Sequence, residues 1–206
     1  MPLRDYLYLA SQSARRRQLL AQIGVRHEPL LADAGEDIEA LEAVRAGEAP
    51  ADYVRRVTLA KLEAARARLL LRGLPVAPIL CADTTVVLDE RILGKPHDDE
   101  EAAHMLERLS GRSHEVFTAV AVLEAPYEAF EPALALQVSR VRFRELVADE
   151  IVRYVASGES QGKAGAYAIQ SQAAAWVSHL EGSYSGVMGL PLYETAELLR
   201  PLGWRF

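Results

Sequence analysis

The chain has 206 residues, which is enough for one domain or for two small lobes that share a core. Half of the residues are apolar and a quarter are charged, a composition typical of a globular protein. The net charge of −6 excludes a global positive field that would attract a nucleic acid polymer or an anionic membrane. Any site for an anion must therefore be local.

Cys81 is the single cysteine, so the chain forms no intramolecular disulfide and is suited to a reducing compartment. Its neighbours are apolar, which predicts a buried and inert thiol rather than a nucleophile. No apolar run reaches the length of a transmembrane helix. We therefore expect a cytoplasmic protein that has no membrane partner.

Residues 7–17 predict a short buried strand, a serine-rich turn and the first turn of a helix. Ser13 is the expected N-cap of that helix. Arg15, Arg16 and Arg17 follow it, beside the positive end of the helix dipole, where acidic residues are normally preferred. This arrangement suits a bound phosphate chain, but a solvated arginine cluster paired with nearby carboxylates explains the pattern equally well.

The next segments are a short strand predicted over residues 25–31 and a mobile acidic loop predicted over 32–50. Asp52 is expected to cap a long helix that continues to about Arg72. Lys61 falls on the apolar face of this helix. Its side chain must therefore extend to solvent, pair with a carboxylate or point into a cleft.

The strongest strand signal lies at residues 79–88, where the sequence ILCADTTVVL is β-branched and almost entirely apolar. Such a run predicts a central strand that is buried on both faces. Asp83 interrupts the run. A carboxylate in that setting requires hydrogen bonds, a cleft or a metal ion, because burying it alone is costly.

The second half of the chain continues the alternation of helices and strands. Asp98 is expected to cap a helix, and residues 115–123 and 134–143 predict an antiparallel pair of strands. A further helix is predicted over 147–157, and a glycine-broken strand or loop over 162–170. The whole pattern predicts an α/β fold in which helices flank a mixed twisted sheet.

Three familiar site patterns fail in this sequence. The Gly-Lys pairs at 94–95 and 162–163 lack the other residues of a phosphate-binding P-loop, and the five histidines have no zinc-ligand spacing. Gly182–Gly186 has a tyrosine where a nucleophile elbow has serine. What remains is the arginine run with Lys61, Lys95, Asp83 and Glu36. Cations of this kind can hold a polyphosphate, and the carboxylates can hold Mg²⁺ or activate a water.

Six motifs extend along almost the full chain: LYLASQSARR at 7–16, CADTTVVLD at 81–89, GKP at 94–96, LSGRSHEVFTAV at 109–120, KAGAYAIQ at 163–170 and GSYSGVMGLPLYET at 182–195. In this order they resemble the Maf family of nucleoside triphosphate pyrophosphatases, once named for septum inhibition. The resemblance implies one domain over residues 1–206, with two lobes around a central cleft and a fold related to inosine triphosphate pyrophosphatases.

The resemblance also implies an activity, the hydrolysis of a nucleoside triphosphate to the monophosphate and pyrophosphate with Mg²⁺ or Mn²⁺. Its phosphate-binding residues carry over as Ser11, Arg15, Arg16, Lys61 and Lys95. The same comparison makes Glu36 and Asp83 the metal ligands, with Asp83 as the proton acceptor for the attacking water. Catalytic roles would thus fall to Asp83, Glu36, Lys61 and Lys95.

Three positions bear on the substrate. The dTTP/UTP branch of the family resembles this chain in having Arg15, Thr84 and Gln170, whereas the branch that acts on 7-methyl-GTP has Trp, Gln and Glu there. A neutral Gln170 amide can both donate to and accept from a uracil or thymine edge. The chain departs from the family at Gln12 and Ala14, where Gly and Pro are usual, which affects substrate range more than chemistry.

The sequence leaves other interpretations open. The same pocket would serve a nucleotide-binding regulator of septum formation and cell division that needs no catalysis. A pyrophosphatase that acts on modified pyrimidine triphosphates or on 7-methyl-GTP is a third interpretation. Members of the family also imply a homodimer, although no interface stripe is readable in this sequence.

Overall fold

The structure is a computed structural model that describes residues 6–206. Its strands are Leu7–Leu9 (β1), His27–Pro29 (β2), Ile79–Leu88 (β3), Arg91–Leu93 (β4), Ser113–Leu123 (β5), Ala133–Phe143 (β6) and Val177–Glu181 (β7). Its α-helices are Ala14–Gln22 (α1), Pro50–Leu71 (α2), Asp99–Leu109 (α3), Ala148–Ala156 (α4), Tyr184–Met188 (α5) and Leu192–Leu199 (α6). The expected α/β fold is confirmed.

The described strands form one mixed sheet in the order β2-β1-β3-β5-β6-β7, with β4 paired to β3. Strand β1 runs parallel to β2 and β3, whereas β3, β5, β6 and β7 are antiparallel neighbours. The predicted strand at residues 79–88 is β3, and it lies inside the sheet as expected. The predicted antiparallel pair in the second half is β5 with β6.

Helix α2 covers the part of the sheet formed by β3 and β5. It begins at Pro50 rather than after Asp52, because proline without an N–H is well suited to the first helical position. Val54, Val57 and Ala65 are fully buried on its apolar face. Their burial fixes the rotation of α2 about its axis, and Lys61 consequently faces the sheet near Asp83.

Strand β2 is shorter than the predicted segment 25–31. It lies at the edge of the sheet and ends at Pro29, which has no N–H to donate to a ladder. The acidic segment that follows contains a 3₁₀ helix at Glu39–Glu42. A local turn of this kind leaves no hydrophobic periodicity, so the sequence predicted only a loop there.

The glycine-rich segment at 162–170 is a tight turn with a 3₁₀ helix at Ala164–Ala166, not a strand. Gly165 has a φ of 66°, and its N–H donates to the carbonyl of Gly94. A Cβ at Gly165 would lie 2.9 Å from the methyl groups of Val86. Only glycine therefore allows this turn to lie against β3.

Three smaller predictions are confirmed. Ser13 caps α1 by accepting from the N–H of Arg16, and Asp98 caps α3 by accepting from the N–H of Glu101. Cys81 is buried, and burial raises the pKa of its thiol. Over residues 6–206, no helix combines the length and apolarity needed to cross a membrane.

Candidate active site

A cavity of about 950 Å³ opens beside the C-terminal end of β1 and the middle of β3. The residues predicted from the family resemblance lie on its wall, although they are far apart in the chain. The wall includes Ser11, Arg15, Arg16, Glu36, Lys61, Asp83, Thr84, Lys95 and Gln170. All nine predicted site residues therefore line a single cavity, which does not by itself test the role of any one of them.

The three arginines at the start of α1 differ in their hydrogen-bond partners. The Nε atom of Arg15 donates to the carbonyl of Met188 at 3.2 Å, and that of Arg16 donates to the carbonyl of Gly189 at 2.7 Å. Arg17 is exposed and bonds only locally, to the carbonyl of Gln12. Two of the three guanidinium groups are thus held at the cavity by the last residue of α5 and the residue that follows it.

Arg16 is fixed further by two hydroxyl groups. Its guanidinium donates to Ser11 Oγ at 3.2 Å and to Thr84 Oγ1 at 3.4 Å. The Thr84 and Thr118 hydroxyls lie 3.0 Å apart on adjacent strands, and Thr118 donates to the carbonyl of Gly186 at 2.8 Å. Thr118 is the donor to both oxygens, so its proton is shared between the carbonyl of Gly186 and Thr84 Oγ1. The Thr84 hydroxyl accepts from Arg16 and helps to orient it.

Lys61 lies between two carboxylates. Its Nζ atom donates to Asp83 Oδ1 at 2.7 Å and to Glu42 Oε1 at 2.5 Å. Burial by itself would lower the pKa of Lys61, but the charges of Asp83 and Glu42 raise it overall. The Lys61 side chain therefore does not extend to solvent. It points into the cavity and pairs with carboxylates there.

Glu42 lines the cavity as well, although it was not predicted from the sequence. Its carboxylate accepts from Lys61. Both of its oxygens also accept from Lys95 Nζ, Oε1 at 2.9 Å and Oε2 at 2.7 Å. Burial alone would raise the pKa of Glu42, but Lys61 and Lys95 lower it overall. The sequence carries no local signal for this residue, since it is one of several acidic residues in a predicted loop.

Glu36 lines the same cavity but has a different partner. Arg68, which is almost fully buried, donates to both carboxylate oxygens of Glu36 at 2.8 Å and 2.5 Å. These hydrogen bonds lower the pKa of Glu36 to about 2. Its predicted catalytic and metal-binding role stays a prediction, whereas Glu42 is the carboxylate that the structure brings to Lys61 and Lys95.

Gln170, Lys163 and Arg15 also line the cavity. Burial and the charge of Arg15 lower the pKa of Lys163, and burial and the charge of Arg16 lower the pKa of Arg15. Cations that are crowded and partly desolvated in this way favour an anion between them. Lys163 was not among the predicted site residues.

The cavity has few candidate metal ligands. Over residues 6–206, no group of three or more His, Cys, Asp or Glu side chains is arranged to hold an ion. Asp83 and Glu42 nevertheless direct oxygen atoms at the same cation, the ammonium of Lys61. Mg²⁺ is commonly held by one or two carboxylates together with substrate phosphates and waters, so this pair fits an ion that arrives with a triphosphate.

The chain is similar to known proteins along nearly its whole length. The family model described as Maf-like protein matches residues 6–202. A dTTP/UTP pyrophosphatase of Cupriavidus metallidurans is 60% identical over 200 residues, covering 97% of this chain and 98% of its own. One of Burkholderia orbicola is 61% identical over 194 residues, covering 94% of this chain and 91% of its own.

Among solved structures, a HAM1 protein from Coxiella burnetii has a similar fold, with a TM-score of 0.50 and 17% sequence identity. The match covers 95% of this chain and 98% of that one. At this identity the likeness concerns the fold alone.

Proposed function

The chain belongs to the Maf family, and we propose that it is a pyrophosphatase that hydrolyses dTTP and UTP to the monophosphate and pyrophosphate. Relatives about 60% identical over nearly their full lengths have the name dTTP/UTP pyrophosphatase. The observation that carries the proposal is the position of Lys61, whose ammonium is within hydrogen-bonding distance of both Asp83 and Glu42 in a cavity lined by further cations.

The chemistry assigned to the chain's own residues follows from these contacts. A water attacks the α-phosphorus, the new bond from oxygen to phosphorus forms, and the bond to the pyrophosphate oxygen breaks. Asp83 accepts the proton of the water at Oδ2, since Oδ1 already accepts from Lys61. Lys61, Lys95 and Arg16 neutralise the charge that grows on the departing pyrophosphate.

A divalent ion, Mg²⁺ or Mn²⁺, belongs to this proposal. When bound with the triphosphate it would supply further neutralisation of the phosphate oxygens. Asp83 and Glu42 would hold it, because both carboxylates line the cavity together with the cations that would meet the phosphates. Glu36 remains the carboxylate assigned to this role by the family resemblance, and a comparison of Glu36→Gln with Glu42→Gln separates the two.

The base is assigned to Gln170, which lines the cavity as Arg15 does. An exposed amide at Gln170 can both donate and accept, which matches the edge of uracil or thymine. Thr84 contributes through Arg16, to which its hydroxyl is bonded. These three residues are the ones that resemble the dTTP/UTP branch.

The decisive experiment measures pyrophosphate release from a panel of triphosphates with and without a chelator. We expect release from dTTP and UTP in the presence of Mg²⁺, little release from 7-methyl-GTP, and loss of release with excess EDTA. Binding of dTTP without pyrophosphate release would contradict the proposal and would favour the nucleotide-binding regulator instead.

The setting of the enzyme is also a proposal. We assign residues 1–206 to one domain, since a single sheet joins the described strands. A cytoplasmic location fits the buried, unpaired Cys81. A homodimer rests on the family resemblance alone, and light scattering of the purified protein tests it.

A further inference from the structure

The segment that carries Glu42 is attached to α2 and its C-cap residue by a series of basic side chains. Arg72 donates to the carbonyl of Leu31, Arg68 to Glu36, and Lys61 to Glu42. Along these contacts the position in the helix moves towards its N-terminus while the position in the loop moves towards its C-terminus. The fourth basic side chain in this series is Arg56.

Arg56 holds the backbone on both sides of Glu42. Its guanidinium donates to the carbonyl of Leu41 at 3.3 Å and to the carbonyl of Ala43 at 2.9 Å. It also donates to both carboxylate oxygens of Glu48, at 2.5 Å and 2.6 Å. Four N–H groups of one side chain therefore hold the segment that contains Glu42.

Tyr53, one turn earlier on α2, completes this arrangement. Its hydroxyl donates to the carbonyl of Glu42 itself at 2.9 Å. The guanidinium of Arg56 lies over the Tyr53 ring, 5.5 Å from its centroid, so each side chain restricts the other. The carbonyls of three consecutive residues, 41 to 43, are thus held by two neighbouring side chains of a rigid helix.

We infer that Arg56 is a positioning residue that places the Glu42 carboxylate on Lys61 and Lys95. The inference rests on the proposed function, in which that carboxylate takes part in hydrolysis. A 3₁₀ turn of four residues has little stability of its own, so the position of Glu42 depends on what holds its backbone. Misplacement of a catalytic group by about 1 Å can cost about 100-fold in rate.

Lysine cannot replace Arg56 in this role. The planar guanidinium reaches two carbonyls and one carboxylate at once, whereas an ammonium is a single point of charge on a flexible stem. The bidentate contact with Glu48 fixes the plane of the guanidinium and hence the direction of its other N–H groups.

The same helix offers a matched control in Arg66. Its guanidinium donates to the carbonyls of Pro126 and Glu128 at 2.8 Å and 2.6 Å, and these two residues lie outside the cavity wall. Arg66 also stacks on an aromatic ring, that of Phe130. Both arginines therefore hold a loop to α2, and they differ in whether that loop carries Glu42.

The test compares Arg56→Lys and Arg56→Met with Arg66→Lys and Arg66→Met. We expect the Arg56 variants to lower kcat/KM about 10- to 100-fold. The loss should be the same for dTTP as for UTP, because Arg56 does not contact the nucleobase. The Arg66 variants should keep the wild-type kcat/KM. Equal losses in the two series would overturn the inference. If Arg56→Met fails to fold, the comparison of Arg56→Lys with Arg66→Lys is sufficient, because lysine retains the positive charge.

A double substitution separates positioning from general stability. In a Glu42→Gln background, Arg56→Lys should lower kcat/KM by no more than about twofold, because the group that it positions has already lost its function. A full, independent loss in that background would contradict the inference.

Failure of the proposed function itself gives a different result. If the wild type releases no pyrophosphate, hydrogen exchange of the amides of residues 39–43 still tests the positioning. We expect exchange there to rise in Arg56→Lys and to stay unchanged in Arg66→Lys. Unchanged exchange in both variants would overturn the inference irrespective of activity.

Discussion

The ammonium nitrogen of Lys61 lies 2.7 Å from Oδ1 of Asp83, and both side chains are mostly buried. Asp83→Asn keeps an oxygen that can accept from Lys61 but removes the charge that takes the water's proton. We expect a folded protein whose kcat falls about 100- to 10,000-fold, the range for loss of a general base. Pyrophosphate release and the thermal midpoint measure the two effects.

Asp89 provides the control for that substitution. It directly follows β3 and pairs with Arg112 at the surface, at 2.6 Å. Asp89→Asn should therefore keep the wild-type kcat. An Asp83→Asn variant with a rate near that of the wild type would show that Asp83 is not the base.

Substitution by glutamine is expected to affect kcat/KM differently at Glu42 and at Glu36. Glu42→Gln removes the negative charge shared by Lys61 and Lys95, and we expect kcat/KM to fall about 10- to 1,000-fold, as for the loss of one electrostatic contact in an active site. Glu36→Gln should stay within about threefold of the wild type, because its carboxylate is bonded to Arg68. The reverse order of activities would restore the role predicted for Glu36.

The pairing of Glu36 with Arg68 predicts a pH-dependent contribution to stability. The hydrogen bonds from Arg68 lower the pKa of Glu36 from 4.5 to about 2 in the folded protein. A depressed pKa stabilises the fold above the unfolded value, so the contribution is complete above pH 4.5 and is lost as the pH falls towards 2.

Urea unfolding at several pH values measures this contribution. Glu36→Gln should be less stable than the wild type at neutral pH, and the difference should shrink as Glu36 of the wild type becomes protonated. A difference that is constant down to the lowest accessible pH would show that the ion pair with Arg68 is not its source.

Gln170 is expected to set the preference for the base. Gln170→Glu replaces a group that donates and accepts with one that only accepts and is negative. We expect kcat/KM for dTTP and UTP to fall. The ratio of 7-methyl-GTP to dTTP turnover should rise at least about tenfold, which corresponds to one hydrogen bond to a charged group. An unchanged ratio across the triphosphate panel would remove Gln170 from substrate recognition.

Gly165 and Gly162 form a pair for testing the turn that packs on β3. Both have positive φ, 66° and 65°, so alanine strains the backbone equally at the two positions. A Cβ at Gly165 meets Val86 at 2.9 Å, whereas at Gly162 it meets no described atom within 4 Å. Gly165→Ala should therefore be less stable than Gly162→Ala by about 1–3 kcal/mol, measured by urea unfolding.

The sequence by itself determined the elements whose signals are local. The β-branched run of β3 and the apolar face of α2 predicted both elements, because side-chain periodicity reports burial directly. The caps Ser13 and Asp98 were predicted for the same reason, since a cap bonds to residues within one turn. The motifs in their order also indicated the family, which the comparison confirmed.

Only the tertiary structure decided which acidic residue meets the lysines. Glu36 and Glu42 lie in one loop with no periodic pattern, and their partners are 19 to 53 residues away in the chain. The choice depends on where α2 places Arg68 and Lys61, which follows from the burial of the helix face that carries them. Such contacts join distant segments, and no local pattern in a single sequence encodes them.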